Sequence, residues 1–263
     1  MLSERFLTNL VKGMTKRHLD LQPTDEHFFP DPKPDTKYML YLHVPFCQVL
    51  CPYCSFNRYV FHEDIARTYF KNLRREMMMP KERGWDFETL YFGGGTPTIL
   101  LDELCKTIDL ARDHFHIKEV GVDTHPHHLA EPWLSAMKGR VQRLSVGVQS
   151  FDDGLLKQMD RYDKYGCGQE ILERIQDASP YFVSMNADMI FNFPAQTEHI
   201  LINAIEPVIE SGCTQPSYYP LIASPSVDRS LAPPVGKVDF ALASQISQIL
   251  IDFLTARSLK HFP

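Results

Sequence analysis

The chain has 263 residues, 44% of them hydrophobic and 23% charged, with a formal net charge of −6 at pH 7. That is apolar material enough for one large or two small domains, and the acidic balance gives no general reason to expect nucleic acid or an anionic membrane surface as a partner. The sequence has no apolar run long enough to cross a bilayer and no secretory-type leader at its start, so a cytoplasmic protein is expected.

Leu2, Phe6, Leu10 and Met14 recur every four residues, which predicts an amphipathic helix packed on the body of the domain. Pro30, Pro32 and Pro34 in "FFPDPKPDTK" then make a stiff, extended connector. Residues 1–36 are thus expected to be an N-terminal helix and connector, ahead of a core at 37–225. In that core, short β-rich runs alternate with longer helical stretches. Strands are predicted at 38–44, 88–94, 119–124, 143–149, 183–191 and 216–222. Helices are predicted at 62–80, 101–114, 131–138, 152–160, 168–178 and 197–211, with a further one at 238–257 in a C-terminal segment, 226–263. Asp102 with Glu103, and Asp152 with Asp153, supply a cap or an acidic first turn. Strands alternating with helices imply an α/β fold with a parallel sheet, in which six βα units close partly or fully into a barrel.

In such folds the chemistry gathers at the C-terminal ends of the strands. Every predicted tip carries something unusual. The first is followed by three cysteines; the others end in "GGGTPT" (93–98), "DTHP" (123–126), "GVQS" (147–150), "ADMIFNFP" (187–194) and "YPLIASPS" (219–226).

Three of the six cysteines, Cys47, Cys51 and Cys54, have the spacing C-x3-C-x2-C. A structural zinc site would need a fourth ligand, for which His43 or His62 is near in sequence. A [4Fe–4S] cluster held by three thiolates would leave one iron open, and the ligand count and spacing favour it. Cys105, Cys167 and Cys213 lie far apart and read as small buried hydrophobes; with no export signal a disulfide framework is not expected. The His-rich "THPHH" at 124–128 lacks the helical carboxylate–His spacing of a metal site.

"YLHVPFCQVLCPYCSFNRY", "LYFGGGTPT", "RLSVGVQSFDDGLLKQMDR" and "ADMIFNFPAQT" together resemble the radical S-adenosylmethionine (SAM) superfamily. Within it they are similar to the oxygen-independent coproporphyrinogen III oxidase-like family, which includes haem chaperones and anaerobic haem-degrading enzymes. The resemblance covers roughly residues 38–225. It implies a radical SAM partial (β/α)6 barrel whose [4Fe–4S] cluster, held by Cys47, Cys51 and Cys54, cleaves SAM to a 5′-deoxyadenosyl radical. It further implies an electron donor such as flavodoxin or ferredoxin, a tetrapyrrole substrate, and in some relatives haem as a ligand. By the same resemblance Gly93, Gly94, Gly95 and Thr96 flank the SAM amino group. Tyr41 lies near substrate or SAM, Gln149 and Asp188 meet ribose and methionine, and Arg161 meets the carboxylate. Asp123 stands where the family often has Glu. Taken singly, Asp123, Gln149, Arg161 and Asp188 would each read as a helix cap or surface ion pair, and His43 as a core histidine.

Two departures from the family stand out. Phe56 occupies the position two beyond Cys54 where authentic oxidases have a further Cys. The family also continues past its sixth strand with a domain that covers the active site, and that lid is expected to be absent from this chain. A haem-binding chaperone, or a radical SAM enzyme acting on a non-porphyrin substrate, are therefore the alternatives to an oxidase.

Overall fold

The structure, a computed structural model, describes residues 4–18, 30–194, 196–221 and 240–256. The chain divides into two units, Met1–Pro32 and Lys33–Pro263. The first contains helix α1 (Glu4–His18), where the four-residue recurrence predicts one; Leu2 lies outside the described residues.

The second unit is built on six parallel strands: β1 (Met39–Val44), β4 (Thr89–Gly94), β5 (Glu119–Thr124), β6 (Arg143–Gln149), β7 (Ser184–Phe191) and β8 (Gln215–Pro220). They lie in the order β1-β4-β5-β6-β7-β8, every pair parallel. Sequence neighbours are thus spatial neighbours, joined by crossovers that carry helices. Alternation along each strand sorts the side chains onto two faces. Leu42, Val44, Leu90, Phe92, Val120, Val122, Leu144, Val146, Met185 and Ala187 are buried in one continuous core. The residues between them, Tyr41, His43, Tyr91, Asp123, Arg143 and Asp188, are only partly covered and lie on the other, inner face.

The helices supply the matching apolar stripes. Helix α2 (Glu63–Met78) buries Ala66, Phe70, Leu73 and Met77, and α3 (Leu101–His114) buries Leu104, Thr107, Ile108 and Ala111. These spacings of three and four keep one face inward. Then come α4 (Trp133–Met137), α5 (Asp153–Gln158), α6 (Tyr162–Tyr165), α7 (Gly168–Ala178) and α8 (Glu198–Glu210). Helix α9 (Phe240–Ala256) packs Ile246 and Leu250 against Phe191, Leu201 and Ile205. No helix among the described residues is long and apolar enough to cross a membrane.

The predicted strands and long helices are all present, with small shifts at their ends. Asp152 caps α5, accepting from the Leu155 N–H at 2.8 Å, whereas Asp102 takes an ion pair from Arg67 at 2.7 Å. Besides four 3₁₀ turns among the described residues, two pieces were not foreseen. One is α6. The other is a two-residue pair, β2 (Phe46–Cys47) with β3 (Tyr59–Val60), too short to leave any periodicity. Cys105, Cys167 and Cys213 are half-buried, not buried, and Cys167 opens α7 at its N-cap. The far part of the sixth tip, residues 222–226, lies outside the described residues.

Phe92 is fully buried, with 0% exposure, between sheet and helices. Phe92→Ala is expected to lower unfolding stability by about 3–5 kcal/mol, the cost of the lost burial and the cavity, as read by chemical denaturation.

Candidate functional site

The cysteine loop is tied down at several points. Its two ends pair as β2 and β3, with Tyr59 N–H donating to Pro45 O at 2.7 Å and Phe61 N–H to Cys47 O at 2.9 Å. Inside the loop, one Arg58 nitrogen donates to Cys51 O at 2.7 Å and to Cys54 O at 2.6 Å. His43 Nε2 bonds Asn57 O at 3.2 Å, so this strand histidine serves the loop. All three thiols are half-buried and unpaired by disulfides. Burial pushes the Cys47 thiol up, Thr96 draws it back, and the nearby Cys54 and Cys51 raise it further. Among the described residues no three His, Cys, Asp or Glu side chains converge as ligands of a single ion, so the geometry of a structural zinc site is not met. A polynuclear cluster takes its thiolates on different irons and does not require that convergence.

The Gly93–Gly95 tip runs directly behind this loop. β1 and β4 are in register with His43 opposite Gly93 and Val44 opposite Gly94. A Cβ on Gly95 would come within 2.8 Å of Cys47 Sγ and 2.7 Å of Phe46 O, and one on Gly94 within 2.8 Å of Val44 O. Gly94 also has φ +122°, a conformation that L side chains rarely adopt. The tip therefore brings bare backbone against the first cysteine. Thr96 is buried and reaches Cys47 Sγ at 3.8 Å. Tyr41 stands 50% exposed at this edge, its hydroxyl 3.0 Å from His43 Nδ1.

The other expected residues ring the same end of the sheet. Asp123 accepts from Tyr91 Oη at 2.5 Å. Burial pushes its carboxyl up to about 6, although the bonds from Tyr91 and the Gly94 N–H pull it back. Asp188 accepts from Ser145 Oγ at 2.7 Å and Asn186 Nδ2 at 2.8 Å, and burial raises its carboxyl as well. Gln149 sits at a bulge in β6 with φ +74°, a strained conformation of the kind that clusters at ligand sites. Arg161 is buried. It donates to Tyr53 Oη at 3.0 Å and to Gly147 O, and its guanidinium carbon lies 4.3 Å from the centre of the Tyr165 ring. Its Nε is buried without a partner. A buried cation with a nitrogen left unpartnered is incomplete by itself, and a ligand carboxylate would complete it.

Sequence reasoning missed several residues. Tyr165, Tyr91 and Arg143 surround the expected set, and their type alone gave no signal; Tyr53 was legible as the aromatic residue before the third cysteine, but not as a partner of Arg161. His125 belongs here too: its ring lies 5.0 Å from that of Tyr165, Nδ1 is buried and unpartnered, and burial pulls its pKa down to about 2. His128 is a satisfied core histidine, bonded to Thr98 at 2.7 Å and stacked on Trp133.

Residues 41–207 match the family described as the radical SAM superfamily. A haem chaperone, HemW of Bacillus subtilis, is 33% identical over 193 residues, 70% of this chain and 50% of that protein. An oxygen-independent coproporphyrinogen III oxidase of Bradyrhizobium diazoefficiens is 33% identical over 167 residues, 60% of this chain and 37% of that protein. The chain thus spans half or less of the length of these two relatives. The solved structure of the Escherichia coli coproporphyrinogen III oxidase HemN, titled a radical SAM enzyme, superposes with a TM-score of 0.74 at 24% identity, covering 85% of this chain and 54% of that one.

Two outcomes are expected. Tyr53→Phe leaves one more nitrogen of buried Arg161 unpaired and should cost about 1–3 kcal/mol of unfolding stability; an unchanged denaturation midpoint would contradict the bond. Asp123 binds its proton more tightly folded than unfolded, so its contribution to stability falls as pH rises from about 4 through about 6. Asp123→Asn removes that penalty. The variant should gain about 3 kcal/mol over wild type at pH 7.5 and much less at pH 4.5, measured by denaturation at both.

Proposed function

The chain belongs to the radical SAM superfamily, and on that premise we infer that Cys47, Cys51 and Cys54 hold a [4Fe–4S] cluster at which SAM is bound and reductively cleaved. One observation carries the reading: three half-buried free thiols on one loop clamped at the tip of β1, with the backbone of Gly95 against Cys47. When bound, the cluster supplies the electron that breaks a carbon–sulfur bond of SAM and releases a 5′-deoxyadenosyl radical.

The chain's own residues bind and orient. The free Nε of Arg161 would receive the SAM carboxylate, in a site dry enough to make that pairing strong. The main chain of Gly93, Gly94 and Gly95, with Thr96, would flank the amino group. Asp123, Gln149 and Asp188 would take the remaining polar groups of methionine and ribose. Tyr41, exposed at the edge strand, would stand between SAM and substrate. The core at 37–225 would receive its electron from a flavodoxin- or ferredoxin-type donor in the cytoplasm.

For substrate we propose a tetrapyrrole or related molecule of haem metabolism, because the matched relatives are named a haem chaperone and a coproporphyrinogen III oxidase. Between those two, Phe56 favours the chaperone: it stands 73% exposed beside the cysteine loop, at the position where authentic oxidases have a further Cys.

Anaerobic reconstitution with iron and sulfide should give a brown protein that converts SAM to 5′-deoxyadenosine under a strong reductant. Cys47→Ser should drop that product to background. A colourless protein, or one that never cleaves SAM, would sink the reading. Haem bound by the same preparation, with no decarboxylated product from coproporphyrinogen III, is the result expected of a chaperone. Decarboxylation would make it an oxidase instead, and neither result would point to another substrate.

A further inference from the structure

We propose that Tyr91 is a positioning residue for SAM, acting through the carboxylate of Asp123. The inference rests on the reading given under Proposed function and concerns a residue outside the set assigned there. Asp123 is one carbon shorter than the glutamate often found at its position in the resembling family, so its reach and direction must be set by its surroundings.

The surroundings are built to do this. Tyr91 lies opposite Gly121 across β4 and β5. Gly121 has no side chain there, and a Cβ would come within 2.6 Å of Tyr91 Cδ2, so the ring can lie across β5. Its hydroxyl then donates to Asp123 Oδ1, two residues further along the same face, at 2.5 Å. Asp123 Oδ2 lies toward the glycine tip, 3.1 Å from where a Gly93 Cβ would stand. The Gly94 backbone also favours the charged form of this carboxylate. From β1 the Tyr41 ring stacks on Tyr91, centroids 6.3 Å apart and planes 15° from parallel. One carboxylate oxygen is thus held by Tyr91, while the other is presented at the tip.

Charge reinforces the geometry. Asp188 on β7 and Arg143 on β6 also act on Asp123, the first favouring its neutral form and the second its ionised form. Tyr41 on β1 and Tyr91 on β4 are the other titratable groups that feel it. The Tyr91 hydroxyl donates to Asp123 and so favours the charged form, which accepts hydrogen bonds from ligand hydroxyl or ammonium groups. Without that hydroxyl the carboxyl would both turn more freely and hold its proton to higher pH.

Tyr91→Phe keeps the ring on Gly121 and removes only the donor. In the reconstituted protein, SAM binding by equilibrium dialysis at pH 7.5 should weaken about ten-fold, the usual worth of a hydrogen bond to a charged group. Turnover at saturating SAM should change little. The loss of SAM binding on acidification should begin at higher pH than in wild type. Carbon NMR of aspartate-labelled protein, with neither cluster nor SAM, should show Asp123 titrating higher in the variant. Because Tyr91 acts through Asp123, adding Tyr91→Phe to Asp123→Asn should cost almost nothing more; independent, additive losses would overturn the proposal. So would a Tyr91→Phe protein with wild-type affinity and an unmoved acid limit. Wild-type protein that takes up a cluster yet binds no SAM would overturn the functional reading itself, and this inference with it.

Discussion

The hydrogen bond from the Arg161 guanidinium to the Tyr53 hydroxyl joins positions 108 residues apart. It connects the cysteine loop after β1 to the segment after β6, across the end of the sheet. Both partners are buried, so neither can exchange this bond for water. Burial raises the Tyr53 phenol, which keeps it a neutral acceptor for a permanent cation. The same arginine reaches back to Gly147 O in β6 and lies over Tyr165 in α6. One side chain therefore sets the loop, the strand end and the short helix relative to each other. Its Nε has no protein partner.

This depends in turn on the sheet being parallel throughout. In a parallel sheet every strand delivers its C-terminal end to the same edge, so six tips far apart in sequence converge. The apolar face of the sheet, packed on helices, makes that edge rigid. The inner face is free to be polar. It carries two carboxylates, Asp123 and Asp188, around one arginine, Arg143, whose Nε has no protein partner. Burial raises both carboxyls, a strain on stability of the kind expected where binding groups are held ready for a ligand.

Glycine recurs on the inner face where something must come close. At Gly93 a Cβ would strike Tyr41, at Gly95 Cys47, and at Gly121 Tyr91. At Gly93 and Gly121 the missing side chain lets a tyrosine of the neighbouring strand lie across the sheet, and at Gly95 it lets the backbone approach Cys47. The "GGG" run is legible in the sequence as a site of close approach. Gly121 is not, because a lone glycine in a strand is as readily a bulge, and only the register opposite Tyr91 tells which.

Local pattern and spacing sufficed for the alternating strands and helices, the parallel sheet and the three-thiol loop. These depend on periodicity, turn chemistry and the short reach of neighbours along the chain. The SAM-binding assignments of Asp123, Gln149, Arg161 and Asp188 came through resemblance, and the structure gathers all four at one edge. Only the tertiary structure decided that Tyr53 is a partner of Arg161, that Tyr91 holds Asp123, that Arg58 binds the cysteine loop's carbonyls, and that β2 and β3 clamp it. Those are contacts between polar side chains, or pairings of two residues, that carry no repeat. Strand register and the packing of distant segments bring them together, and a sequence read from one end to the other holds neither.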